Sequence, residues 1–130
     1  MKILVGYDGS NSAKQALQTA LKHALAFGAS VDVVTSMEKG FESDQKAIAE
    51  AERALEWAKS VFTEQGVDCQ THLLIRGLTP GEDLVDFARE HQTDEIIVGI
   101  ERRSKVSKIL LGSTAQFVIL NAPCPVVTVK

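Results

Sequence analysis

The densest run of chemistry-bearing residues is Gly99 to Thr114, GIERRSKVSKILLGST. A glycine at a strand end lets backbone come close to a ligand, and Gly112-Ser113-Thr114 at a helix start offers unpaired backbone N–H groups and two hydroxyls to an anion. Arg102, Arg103, Lys105 and Lys108 lie between them and add positive charge. That pattern suits a phosphate group. The same residues also read as a turn and an N-cap beneath a solvated basic loop, and residue types alone do not separate the two readings. A second turn, Asp8-Gly9-Ser10, puts a carboxylate and hydroxyl after an apolar run. Asp8 is open to a ligand role and to a plain turn or cap role.

Other chemistries fail on residues. No GxxxxGK[ST] string is present, so a Walker phosphate loop is excluded. A receiver domain needs an acceptor Asp after the third strand, where this chain reads Leu74-Ile75-Arg76-Gly77. A flavin site wants aromatic walls, and aromatics are only 5% of the chain, with Ser10 and Ser12 a faint match to its hydroxyl-rich loop. His23, His72 and His91 are scattered over two helices and a strand without metal-ligand spacing. No Ser/His/Asp triad can be assembled. Cys69 and Cys124 stand 55 residues apart with no CxxC, which reads as two reduced, buried bystander thiols of a cytoplasmic protein. Trp57 covers the surface of the second helix and is assigned no role.

The elements that must position these residues alternate regularly. Residues 2–7 form a buried strand. Ala13, Ala16, Leu17, Ala20, Leu21 and Ala24 mark one face of a helix closed by Gly28. A second strand covers 31–37, and a helix from Asp44 to Gln65 turns Ile48, Ala51, Leu55, Ala58 and Phe62 inward before Gly66. His72 to Ile75 sits in a third strand. Thr79-Pro80-Gly81-Glu82 is a capping box with proline at the first helical position, opening a third helix through Leu84, Val85 and Ala88. Glu95 to Ile100 is the fourth strand; the helix from Gly112 stops at Asn121-Ala122-Pro123, and Val126 to Val129 is the last strand. Five strands alternating with four helices predict a doubly wound α/β fold, a parallel sheet covered on both faces, in one domain spanning 1–130. Strand orders 2-1-3-4-5 and 3-2-1-4-5 both satisfy the pattern. Ligands in such sheets sit where the order reverses, and the glycine turns follow strands 1 and 4, which favours 3-2-1-4-5.

Composition bounds the partners. At 130 residues, 45% apolar and 24% charged, the chain can bury a core without metal or disulfide. Net charge is −3, which speaks against general nucleic-acid binding. Glu101 to Lys108 alone carries +3, so the remainder is −6, an acidic body with one basic loop. The opening MKILVGYDGS is too short for a signal-peptide core, and no apolar run approaches the ~18 residues of a membrane span.

The chain resembles the universal stress protein family over residues 2–129. Nucleotide-binding members carry a Gly, two residues, a Gly, nine residues, then Gly-Ser or Gly-Thr. Here Gly99 fills the first position, Arg102 stands in place of the second glycine, Arg103 to Leu111 are the nine, and Gly112-Ser113 follow. ILVGYDGSNSAKQAL, KILLGSTAQFVI and NAPCPVVTVK also look like family members. The resemblance implies strand order 3-2-1-4-5, ATP bound at the ends of strands 1 and 4, and a homodimer paired through Val126 to Val129. It implies that Gly6, Tyr7 and Asp8 face adenine and ribose, with the Asp8 carboxylate near the ribose or a bound Mg or Mn ion, and that Ser36 faces the adenine edge. Gly99 and Arg102 would line the ribose and phosphate entrance, and Gly112, Ser113 and Thr114 would cradle the phosphates. Arg102 departs from the pattern. It either strains or reshapes the loop at a cost of ~1 kcal/mol or more, or pairs with a phosphate; the retained Gly112-Ser113 favours retained binding. The resulting expectation is an ATP-binding sensor or regulator in stress adaptation. The alternatives are a dimeric interaction module that has lost nucleotide, and a slow ATPase, for which Asp8 is the only general base in view.

Overall fold

A computed structural model describes residues 1–38, 40, 43–101 and 112–130. The chain runs β1 (Lys2–Gly6), α1 (Asn11–Phe27), β2 (Ser30–Ser36), α2 (Gln45–Thr63), β3 (Cys69–Leu74), α3 (Pro80–Glu90), β4 (Glu95–Gly99), α4 (Ser113–Asn121) and β5 (Val126–Val129). All four strand pairings are parallel and the order is β3-β2-β1-β4-β5, as the placing of the glycine turns predicts. The register sets Gly6 level with Val34 and with Val98, so β1, β2 and β4 end together at one rim.

Period-two alternation on strands covered from both sides divides the core into two layers. Ile3, Val5, Val31, Val33 and Ile97 face α1 and α2, where Leu17, Leu55 and Phe62 meet them. Leu4, Val34, Ile96 and Val98 face the opposite layer with Leu84, Val85, Phe87 and Val118. The expected inward face of α2 holds for Leu55, Ala58 and Phe62, whereas Ile48 and Ala51 are only half-buried. Helix ends follow local chemistry. Gly28 caps α1 in the left-handed region at φ 66°, where a side chain would be strained. The Thr79 and Glu82 capping box forms in both directions at α3. Its backbone and hydroxyl donors hold the Glu82 carboxyl below the usual carboxylate range. No helix among the described residues is long and apolar enough to cross a membrane.

Cys69 is buried, and burial pushes its thiol up to about 11, with Lys59 a smaller opposing influence. Because a raised thiol pKa keeps the neutral, unreactive form, Cys69 is expected to resist iodoacetamide at pH 8 until the chain is unfolded. Mass spectrometry of native and denatured samples reads this directly; equal labelling of Cys69 in both would show that the site is open.

Candidate functional site

Two adjoining cavities open at the rim where β1 and β4 end. The first has walls from Val34, Leu84, Val98, Ala13 and Pro80, with Gly6, Tyr7, Asp8, Ser10, Ser36, Gly99 and Thr114 completing it. The second is lined by Asp8, Ser10, Ser12, Gly99, Ile100, Glu101, Gly112, Ser113, Thr114 and Ala115. Asp8, Ser10, Gly99 and Thr114 belong to both, so the two form one cleft with an apolar half and a polar half. The apolar half can hold a flat heterocycle. The polar half meets the start of α4, where the N–H groups of Ser113, Thr114 and Ala115 have no intrahelical acceptor and no side chain among the described residues caps them. Such a helix start carries the equivalent of roughly half a positive charge and suits an anion.

The strand ends position each expected residue. Gly6 closes β1 beneath Leu84 and Val98; an added Cβ would come within 2.9 Å of a Leu84 methyl. The next residue, Tyr7, points to the other layer. Its ring belongs to the α1 and α2 core, 6.4 Å from Trp57, and burial first, then the Asp8 charge, raises its phenol pKa. The Tyr7 main chain ties the end of β1 to β2: its N–H donates to the Val34 carbonyl and its own carbonyl accepts from the Thr35 hydroxyl. Asp8 is exposed and its Oδ1 accepts from Ser10 N at 2.9 Å, an Asx turn, so part of its carboxylate has a structural duty. The N-cap of α1 is Ser10, which accepts from Ala13 N.

Gly99 ends β4 against the first turn of α1. A Cβ there would lie 2.5 Å from the Ser12 carbonyl carbon and 2.7 Å from Ala13 N. The close approach that this glycine permits is therefore helix backbone to strand backbone, which the reading of a ligand-approach glycine did not include. Gly112 differs. It is the N-cap of α4, at φ −62° and ψ 159°, and a Cβ there meets nothing within 4 Å among the described residues. Eight expected residues, Gly6, Tyr7, Asp8, Ser36, Gly99, Gly112, Ser113 and Thr114, line the cleft. Arg102 lies outside the described residues.

Sequence reading missed two groups. Val34, Pro80, Leu84 and Val98 supply the apolar walls; on paper they are ordinary core positions, and only the strand register brings them to the rim. Asp83 was also missed. It is fully buried in the first turn of α3, accepts from the Ser36 hydroxyl and pairs through Oδ1 with Arg76 Nε at 2.9 Å. A charged residue beside Leu84 in an amphipathic helix gives no sign of burial, although Arg76 seven residues earlier is a partner that spacing could suggest. The histidines are less scattered than they look along the chain. His72 pairs with Asp32 at 2.9 Å, and its ring and that of His91 flank Phe87, while His23 pairs with Glu95 at 2.6 Å. No group of three or more potential metal ligands occurs among the described residues.

Comparison with known proteins agrees with this geometry. The model of the universal stress protein family matches residues 1–130. A universal stress protein of Thermus aquaticus is 35% identical, the match covering 98% of this chain and 97% of that one. The universal stress protein of Archaeoglobus fulgidus, solved in complex with dAMP, superposes with a TM-score of 0.85 at 37% identity, over 100% of this chain and 98% of that one. A universal stress protein solved in complex with cAMP superposes with a TM-score of 0.80 at 26% identity, over 100% and 96%. With five parallel strands in the order 3-2-1-4-5 and a family match from the first residue to the last, this chain belongs to the universal stress protein family.

Proposed function

We propose that the chain binds an adenine nucleotide, ATP in the first instance, and acts in the cytoplasm as a nucleotide-dependent sensor or regulator of stress adaptation. The observation that carries the reading is the two-part cleft: apolar walls for a base at one end and the uncapped start of α4 for phosphates at the other. The relatives solved with dAMP and cAMP support the same ligand class. In this reading the base lies between Val34, Leu84 and Val98, the ribose passes Gly6, Asp8 and Gly99, and the phosphates meet Gly112, Ser113 and Thr114. Arg102, two residues beyond Ile100, adds a charge-assisted phosphate contact. A magnesium or manganese ion fits only as a companion of the phosphates. Asp8 offers one exposed carboxylate at the junction of the two cavities, and such ions accept one or two carboxylates when the nucleotide supplies the rest. The metal would neutralise phosphate charge.

Titration of ATP, with and without magnesium, tests the reading. Trp57 is the only tryptophan and its ring neighbours Tyr7 at the rim, so its fluorescence gives a signal alongside calorimetry. Absence of heat and of fluorescence change at millimolar ATP would sink the nucleotide reading and leave the interaction module.

The partner in this reading is a second copy. β5 is an edge strand with Val126, Val127 and Val129 half-buried, and α4 leaves Ile119 and Leu120 exposed beside it. Antiparallel pairing of two such edges about a two-fold axis would cover both. Sedimentation should show a dimer at tens of micromolar, and Val127→Pro, which removes a ladder donor, should shift it to monomer. A monomeric unmutated protein would rule this interface out.

A further inference from the structure

Among the described residues of the apolar half, the charged and hydroxyl side chains are Asp8, Ser10, Ser36 and Thr114, with the Tyr7 ring turned into the other layer. Three of these also line the polar half. Ser36 does not, so among the described residues it is the one such group found only in the apolar half. Its hydroxyl has a single hydrogen, and that hydrogen is given to Asp83. Asp83 cannot return it: its other oxygen faces Arg76 Nε, and the guanidinium holds the pair as ion and counter-ion. The Thr79 and Glu82 capping box fixes the turn that carries Asp83, whose own N–H is bound to the Thr79 carbonyl. Ser36 lines the cleft, and all that its hydroxyl has left to offer a ligand is lone pairs.

The geometry points to Asp83 as a positioning residue that, through Ser36, makes the base site selective for a purine bearing a 6-amino group over one bearing a 6-oxo group. This rests on the nucleotide reading above and specifies its base. An amino group donates to the Ser36 oxygen. A 6-oxo group in the same place sets acceptor against acceptor, and the hydrogen bond made by the amino group is lost. Asp83 is absent from the cavity lining and fully buried, so it acts only through Ser36.

The test compares adenosine and inosine monophosphates, which share sugar and phosphate. The unmutated protein should bind the adenosine form roughly ten-fold or more tightly. Ser36→Ala, which keeps the Asp83 and Arg76 pair, should bring the ratio close to one. Asp83→Asn should go further. Arg76 fixes the amide with its oxygen towards the guanidinium and its NH2 towards Ser36, so the serine must accept from it and turn its own hydrogen into the cleft. The preference should then move towards the inosine form, an inversion that general damage to the fold would not produce. Equal binding of both nucleotides by the unmutated protein overturns the selectivity while leaving nucleotide binding intact, as does an unchanged ratio in Ser36→Ala. If neither nucleotide binds, the underlying reading falls and the selectivity with it. Should Asp83→Asn fail to fold, Ser36→Ala still decides.

Discussion

Gly112→Val is expected to weaken ATP binding by roughly ten- to a hundred-fold while the domain remains folded, the cost of one or two lost hydrogen bonds to a charged group. Gly112 is the N-cap of α4 and its backbone lies at φ −62° and ψ 159°, extended geometry that valine also adopts. Among the described residues a Cβ meets no atom within 4 Å, so these leave room for the change. Valine is a poor N-cap, which costs the helix a few tenths of a kcal/mol to ~1 kcal/mol and no more. The space filled is that of the polar cavity, beside the N–H groups of Ser113 and Thr114. Adenosine, which lacks phosphates, should bind the variant nearly as well as the unmutated protein. That contrast places the loss at the phosphate end. ATP affinity unchanged in calorimetry would mean that the phosphates do not use the start of α4.

The two ends of the cleft were unequally legible in the sequence. Gly112-Ser113-Thr114 could be read because a glycine before two hydroxyl residues at a helix start has few physical uses, and the structure leaves those N–H groups uncapped. Strand order was also accessible, since apolar runs on both faces demand a parallel sheet and the glycine turns mark where the order reverses. The base end was not. Its walls are core residues whose membership depends on register, Val34 level with Gly6 and Gly6 level with Val98, a relation between strands that no single segment encodes. Asp83 was hidden for the same reason. A carboxylate in the first turn of a helix reads as a favourable exposed charge at the positive end of the dipole. Only the approach of Arg76 and Ser36 from two other segments shows that it is buried. Tyr7 lines the cleft as its place in the motif suggested, while strand alternation puts its ring in the other layer.

Gly99→Ala should destabilise the fold itself, by about 1–3 kcal/mol, the usual cost of forcing one extra methyl into a packed site. The new Cβ would sit 2.5 Å from the Ser12 carbonyl carbon and 2.7 Å from both Ser12 O and Ala13 N. These are main-chain atoms of the first turn of α1, so no side-chain rotation relieves the contact and the helix start must move away from β4. For a domain of this size the loss corresponds to a fall in Tm of roughly 4–12 °C. The displaced turn carries Ser10, Ser12 and Ala13, which line the cleft, so adenosine and ATP should weaken together. Gly112→Val is expected to do the reverse, sparing Tm and adenosine while losing ATP. Gly99 and Gly112 look alike as anchors of one glycine pattern, yet one admits a helix and the other leaves room beside a helix start. A Gly99→Ala protein that melts at the unmutated temperature would show that α1 does not rest on β4 as closely as these distances require.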